Sequence, residues 1–327
     1  MAIRFSRRQA LALGAGALAS PTFARAQSAL PAGTIKLLIG FPAGGGTDVM
    51  GRIVVEKIRE RTGANIVVEN KGGASGTVAA EQLKNAAPDG LTLMLAPIAS
   101  TVMAQLTFPK LPYDIQADFA PISLLGTFQL AYAISPTLGV NTLAEYIAWL
   151  KADPKRASFG TTAMGSLPMF FGTMLGGGIG VDLQPVPYRG AAPLVQDLTS
   201  GQVPAGTGAL TDFLQHHRGG KVRILATSGA RRAIAGPDLP TFTELGYPKI
   251  VGDGWLGFYA PAKTPLAIVE AFNREIIAAA NAEDVKKKLL DAGLEPRTTT
   301  PNEFADFVVA ELARWKPVIA ASGYKHQ

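Results

Sequence analysis

From Thr34 onward, short apolar runs alternate with segments in which apolar residues recur every three or four positions. Ile35 to Phe41 reads as a buried strand, and Asp48 to Arg61 as a helix carrying Met50, Ile53, Val54 and Ile58 on one face. Gly63 closes that helix, and Asn65 to Glu69 forms the next strand. A second crossover follows, with a helix from about Gly76 to Asn85, a Pro88-Asp89-Gly90 turn and a strand from Thr92 to Ala96. Two successive strand-helix-strand units imply a parallel, doubly wound sheet.

After the stretch from Tyr113 to Leu125 the alternation restarts with a strand near Leu130 to Ile134. Thr142-Leu143-Ala144-Glu145 has capping-box spacing and opens a helix. Further strands fall near Ala157 to Gly160, Leu183 to Pro187, Val203 to Gly206 and Arg223 to Thr227. Trp255 to Ala260 is a last strand, followed by three helices starting near Pro265, Glu283 and Pro301; Thr300-Pro301-Asn302-Glu303 combines an N-cap, Pro at N1 and Glu at N3. These helices have no strands of their own to cover, so the chain is expected to return to its first domain. The crossings fall near residues 127 to 133 and 249 to 261. They divide the chain into one lobe of residues 27–130 plus 251–327 and a second of residues 131–250, with a cleft between. A length of 327 residues fits two domains.

Composition removes several functions. The chain is 47% hydrophobic and 17% charged, too apolar for disorder, while 36 Gly and 23 Pro interrupt it too often for a membrane bundle. The net charge of +6 falls to +2 without Arg4, Arg7, Arg8 and Arg25, so beyond Lys286-Lys287-Lys288 there is no electrostatic footprint for nucleic acid. Those arginines belong to residues 1–26, read as a signal peptide: a basic start, an apolar run from Ala10 to Ala19, and Ala24-Arg25-Ala26 as the exit. Ser6-Arg7-Arg8 fits either a twin-arginine or an ordinary secretory signal. With no cysteine there is neither a disulfide nor a lipid-anchor site, and a freely diffusing periplasmic monomer is expected.

Three small-residue loops precede helices at the carboxyl ends of strands. The first is Phe41-Pro42-Ala43-Gly44-Gly45-Gly46-Thr47-Asp48, the second Lys71 to Thr77, the third Thr161-Thr162-Ala163-Met164-Gly165-Ser166. Such places bind anions through backbone N–H groups and the helix dipole, and open parallel sheets bind ligands at that edge. The first loop lacks the third glycine of a dinucleotide fingerprint, where Val49 stands, and the lysine of a phosphate loop, where Gly46 stands. A tight turn with Thr47 or Asp48 as N-cap remains the alternative to an anion site. Enzyme signatures are weak. His216 and His217 fall at a helix end, where they are expected to cap the dipole, and His326 is next to the terminus. No zinc, serine-triad or cysteine motif occurs. Asp48, Asp212 and Asp253 can approach the cleft but have ordinary places at helix starts or turns. No cofactor, metal or catalysis is expected.

Several motifs in order resemble the substrate-binding proteins of tripartite tricarboxylate transporters, the Bug-type receptors. They are Ile39 to Asp48, Val68 to Gly76, Pro88 to Leu93, Leu111 to Asp114, Asp118 to Ile122, Val186 to Gly190, Leu239 to Thr241 and Trp255 to Phe258. The resemblance covers essentially all of the chain after the signal. It implies an α/β two-lobed periplasmic binding protein, each lobe a mostly parallel doubly wound sheet flanked by helices. It also implies a receptor that closes around a small carboxylate and delivers it to the transporter's membrane components. Carried over, the ligand-binding residues are Phe41, Ala43, Gly44, Gly45, Gly46, Thr47 and Asp48 in one lobe. In the other they are Thr161, Thr162, Gly165, Ser166, Met169, Tyr188, Arg189, Gly190, Gly208 and Ala209. The alternatives are an exported enzyme acting on such carboxylates and a sensor for a membrane signalling protein.

Met169 stands where the family often has histidine, and the usual proline after Lys71 is missing. A thioether donates no hydrogen bond, so if Met169 borders the pocket it disfavours a second ligand carboxylate there. For Asp48 a cap is favoured over contact with a ligand ammonium, because its charge would repel a carboxylate.

Overall fold

The computed structural model describes residues 30–325, so residues 1–26, read above as a signal peptide, and His326 lie outside the described residues. The chain runs through β1 (Thr34–Ile39), α1 (Gly46–Thr62), β2 (Asn65–Asn70), α2 (Thr77–Lys84), β3 (Thr92–Pro97), α3 (Val102–Thr107) and β4 (Phe119–Phe128). α1 stops where Gly63 takes φ 71° and donates its N–H to the Arg59 carbonyl. α3 and the full length of β4 are absent from the sequence reading, because six residues are too few to show a helical period.

One residue, Gln129, separates β4 from β5 (Leu130–Ile134), which starts a second sheet. There follow α4 (Leu143–Ala152), β6 (Ser158–Thr161), α5 (Leu167–Ile179), β7 (Gln184–Pro187), α6 (Ala191–Ser200), β8 (Ala205–Ala209), α7 (Leu210–Arg218) and β9 (Arg223–Thr227). The chain returns to the first sheet as β10 (Gly254–Pro261), then α8 (Leu266–Ala280), α9 (Glu283–Asp291), β11 (Glu295–Pro296) and α10 (Pro301–Ala321). Both capping boxes form: Thr142 with Glu145 starts α4, and Thr300 with Glu303 starts α10.

The first sheet has the order β11-β4-β10-β3-β1-β2 and the second β7-β6-β8-β5-β9. The molecule is thus two-lobed, as expected, but the sheets are mixed rather than mostly parallel. β1 pairs parallel with β2 and β3, and β6 parallel with β7 and β8. β10 is antiparallel to both β3 and β4, and β5 to both β8 and β9. The cause is the double crossing. β4 leaves the first sheet toward the second lobe and β10 comes back from it alongside, so the two must run in opposite directions.

The two connecting segments are bonded to each other. The Ser228 N–H donates to the Leu130 carbonyl, the Leu130 N–H donates to Ser228 Oγ, and the Gly252 N–H donates to the Ser228 carbonyl. The Ser228 hydroxyl donates to Asp253 Oδ1 at 2.6 Å. Burial pushes the Asp253 carboxyl up to about 6; the Ser228 hydroxyl opposes this, while Glu295 and Glu311 add to it. The folded state therefore keeps a proton that the unfolded chain releases. Stability from this group is greatest at low pH, falls as pH rises from the ordinary 3.8 to about 6, and stays reduced above that. Asp253→Asn, which retains an acceptor for Ser228, is expected to remove this fall. Relative to the parent the variant should gain ~2–3 kcal/mol between about pH 4 and 7. Parallel stability-versus-pH curves for the two proteins would show the assignment to be wrong.

One apolar cluster runs through both lobes. It joins Leu38, Met94 and Tyr259 of the first sheet to Tyr132, Phe159, Phe170 and Phe171 of the second lobe, with Trp315 and Ile319 of α10 between them. Separate clusters lie under α1 and α8 on the first lobe and under α6 and α7 on the second. α10 thus packs against both lobes.

Candidate functional site

The loops after β1, β2 and β3 stack on one another at the carboxyl end of the first sheet. Gly76, at φ 90°, makes this stacking possible: a Cβ there would lie 2.8 Å from Ser100 Cβ and 3.1 Å from the Phe41 ring. Just before it, Ala74 and Ser75 also take positive φ, 43° and 57°, an arrangement that non-glycine residues adopt only when the surroundings enforce it. Across from these loops lies the turn after β6. There Ser166 caps α5, its Oγ accepting from the Met169 N–H and donating to the Ala163 carbonyl at 2.7 Å.

Between the two sets of loops is a cleft of 330 Å³. The first lobe contributes Phe41, Ser75, the Pro97–Ala99 segment, Met103, Thr107 and Phe108. The crossing contributes Phe128 and Leu130, and the second lobe Thr162 to Pro168, Ala209 and Asp212. Tyr324, just after α10, completes the wall. Its ring meets Phe170 edge-on at 5.7 Å. Gly165, at φ 67°, lies so close beneath it that a Cβ would come 2.4 Å from the phenol oxygen.

Of the residues assigned from sequence, Phe41, Thr162, Gly165, Ser166 and Ala209 line this cleft. Ala43 to Thr47 stand outside its wall, exposed or half-buried at the start of α1, where the first N–H groups have no carbonyl to bond within the helix. Thr161 is buried behind the turn, 3.3 Å from Ser166 Oγ. Tyr188 donates its hydroxyl to Asp197 at 2.9 Å and is pushed up to about 12 by burial and that carboxylate. Arg189 is exposed, Gly190 starts α6, and Gly208 lies within β8.

Two side chains depart from expectation. Met169 does not border the cleft; it is 2% exposed, and its sulfur accepts the Gly165 N–H at 3.3 Å. As the third residue of α5 it is turned back under its own loop, since helix side chains lean toward the N-terminus. Asp48 is not an N-cap. The cap position is Gly45, without a side-chain bond, and Asp48 at the third helical position reaches back to the Gly44 N–H at 2.9 Å. Arg52 Nε lies 3.0 and 2.9 Å from its two oxygens, and Asn70 Nδ2 donates to it at 2.9 Å and to the Phe41 carbonyl at 3.0 Å. Burial alone would raise the Asp48 carboxyl; Arg52, Gly44 and Asn70 outweigh it and hold it below the ordinary value. This carboxylate is already satisfied. Asp48→Asn is therefore expected to loosen the loop but to change carboxylate and amino-acid affinities alike, by less than roughly threefold. A large loss confined to amino-acid ligands, measured by calorimetry, would restore the ammonium contact.

Sequence reasoning missed Pro97 to Ala99, Phe108, Phe128 and Tyr324 as cleft residues. For Pro97 to Ala99 a signal existed, since they follow a strand of the parallel part of the sheet. Asp212 lines the cleft with Oδ2 accepting the Ala209 N–H at 3.0 Å, and burial raises its carboxyl. His217 does not cap α7 as a cation: its Nδ1 accepts the Ile224 N–H at 3.2 Å, and burial lowers its pKa. A larger cavity of 480 Å³ lies beside the crossing, lined by Gln129, Arg218 and Glu295 among others. It is lined by α7, α9 and the crossing rather than by the loops after β1, β2, β3 and β6.

Residues 50–324 match the model of the tripartite tricarboxylate transporter family receptor. Protein BugT of Bordetella pertussis is 32% identical over 296 residues, which cover 90% of this chain and 91% of that protein. Among solved structures, Rpa4515 of R. palustris with adipate is 28% identical, with a TM-score of 0.77 over 90% of this chain and 98% of that one. MatC of Rhodopseudomonas palustris with bound malate is 29% identical, with a TM-score of 0.73 over 89% of this chain and 100% of that one. Family model, relatives and fold agree: the chain belongs to the tripartite tricarboxylate transporter receptor family, the Bug-type periplasmic solute-binding receptors.

Proposed function

We propose that this chain captures a small carboxylate in the interlobe cleft and hands it to the membrane components of a tripartite tricarboxylate-type transporter. It does so as a periplasmic monomer released from the signal segment at residues 1–26. The lobes divide at residues 130/131 and 250/251. The observation that carries the reading is the placement of the cleft. Small-residue loops at the carboxyl ends of β1, β2 and β3 face the capped turn after β6, and the chain crosses between lobes directly beneath. Adipate in Rpa4515 and malate in MatC support the ligand class.

In this reading Ser75 and Thr162 and nearby backbone N–H groups hold the anion, with the free N–H groups of Gly46 and Thr47 reaching it as the lobes close. Neutral donors suffice, because closure excludes water and strengthens each hydrogen bond. The test is titration calorimetry of the purified protein against a carboxylic-acid panel, with recovery of the ligand afterwards. The reading predicts one site per chain and a chemically unchanged ligand. Steady conversion of the ligand to product would overturn it in favour of an enzyme.

A further inference from the structure

The walls of the cleft are mainly apolar. Phe41, Ile98, Met103 and Phe108 form the first-lobe side, with Phe128 and Leu130 at the crossing. Among the described residues lining it there is no Lys, Arg or His, and the one charged side chain is an acid, Asp212. At 330 Å³ the space is at the small end of ligand pockets.

A single carboxylate can be accommodated by the hydroxyls of Ser75 and Thr162 and by backbone N–H groups, all of them neutral. At the Asp212 end of the cleft a second carboxylate finds no basic side chain among the described lining residues. It meets either an apolar wall, where an unpaired charge is strongly disfavoured, or Asp212, where like charges repel in a space from which water is being expelled. Asp212 also offers something positive. Its Oδ2 takes the Ala209 N–H, and among the described residues its Oδ1 accepts no hydrogen bond, so a ligand hydroxyl or ammonium can donate to it.

Resting on the carboxylate-receptor reading above, we propose that the cleft selects a small acid with one carboxylate and an apolar body, and that Asp212 excludes a second carboxylate in favour of a hydrogen-bond donor. Specificity here comes from a repulsive element as much as from attraction. The ligand class is thus an aromatic or short aliphatic monoacid, with a hydroxyl or ammonium tolerated at its other end.

The test compares acids that differ only at that end: 4-hydroxybenzoate with terephthalate, 6-hydroxyhexanoate with adipate, and citrate as the polyanion. Calorimetry on the purified protein should show each monoacid binding at least roughly tenfold more tightly than its diacid, with citrate weakest. Asp212→Asn should narrow the gap to less than about threefold by improving the diacid. Ile98→Thr should weaken the monoacids and leave the diacids nearly unchanged. A diacid that binds the unmodified protein as tightly as its monoacid overturns the inference without any variant. So does an unchanged gap in folded Asp212→Asn. Both results leave the receptor reading standing, whereas failure of every acid in the panel to bind would remove the receptor reading and this inference together.

Discussion

Replacing Glu311 by alanine is expected to lower the folding free energy by ~3–5 kcal/mol, the range for breaking a buried, hydrogen-bonded charge. Glu311 lies on α10 and is 1% exposed. Its Oε2 accepts the indole N–H groups of Trp255, on β10, and of Trp315, one turn along α10, each at 3.2 Å. Arg314 Nη1 stands 3.1 Å from Oε1 as an ion pair without hydrogen-bond geometry. The truncation would leave two buried indole donors unpaired and a void among Trp255, Phe304 and Trp315, which are fully buried. Burial raises the Glu311 carboxyl, with Arg314 and the indoles opposing. Glu311→Gln, which keeps an acceptor, should therefore lose much less than the alanine variant. Urea denaturation of both variants measures this. An alanine variant within ~1 kcal/mol of the parent would mean the indole bonds contribute little net stability.

The largest effect on binding is expected from Gly165→Val, with affinity falling at least roughly 100-fold. At φ 67° a β-branched residue is strained, and its Cβ would overlap the Tyr324 phenol, 2.4 Å away. The turn can relieve this only by moving away from Tyr324 or by pushing Tyr324 off the cleft wall. The first movement displaces the cap at Ser166, and the second opens the seam between α10 and the second lobe. Because the change sits at the surface of a capped turn, the variant should fold with a modest loss in melting temperature. It should also fail to show the ligand-induced rise of the parent, a rise worth about 2.7 kcal/mol at a ligand concentration of 100 times Kd. Normal binding by a folded Gly165→Val protein would separate the turn from the site.

The elements themselves were legible because their signals are local. Thr142 and Thr300 each carry Glu three residues on, and both start helices as that spacing requires. The return of the chain to its first sheet was legible from helices with no strands to cover. Strand direction was not, because β10 reads as an apolar run whichever way it lies, and only the path through the other lobe reverses it. The cleft was half legible for a related reason. Ser166 and Gly165 advertise a turn, but Ile98, Phe108 and Phe128 have the same pattern whether they pack into a core or line a ligand space. Met169 shows the converse error: a residue placed by analogy beside the ligand is withdrawn by the lean of helix side chains and a bond to Gly165. Asp48 was misread because its partners Arg52 and Asn70 come from the next helical turn and the next strand.

The ligand is expected between the lobes rather than in the larger cavity beside the crossing. A crystal structure of the protein with its tightest-binding acid tests this most directly. Ligand density is expected between Phe41, Ser75 and Ile98 on one side and Thr162 to Ser166 on the other, with the carboxylate on neutral donors. Density in the cavity lined by Gln129, Arg218 and Glu295, with the interlobe cleft unoccupied, would contradict it.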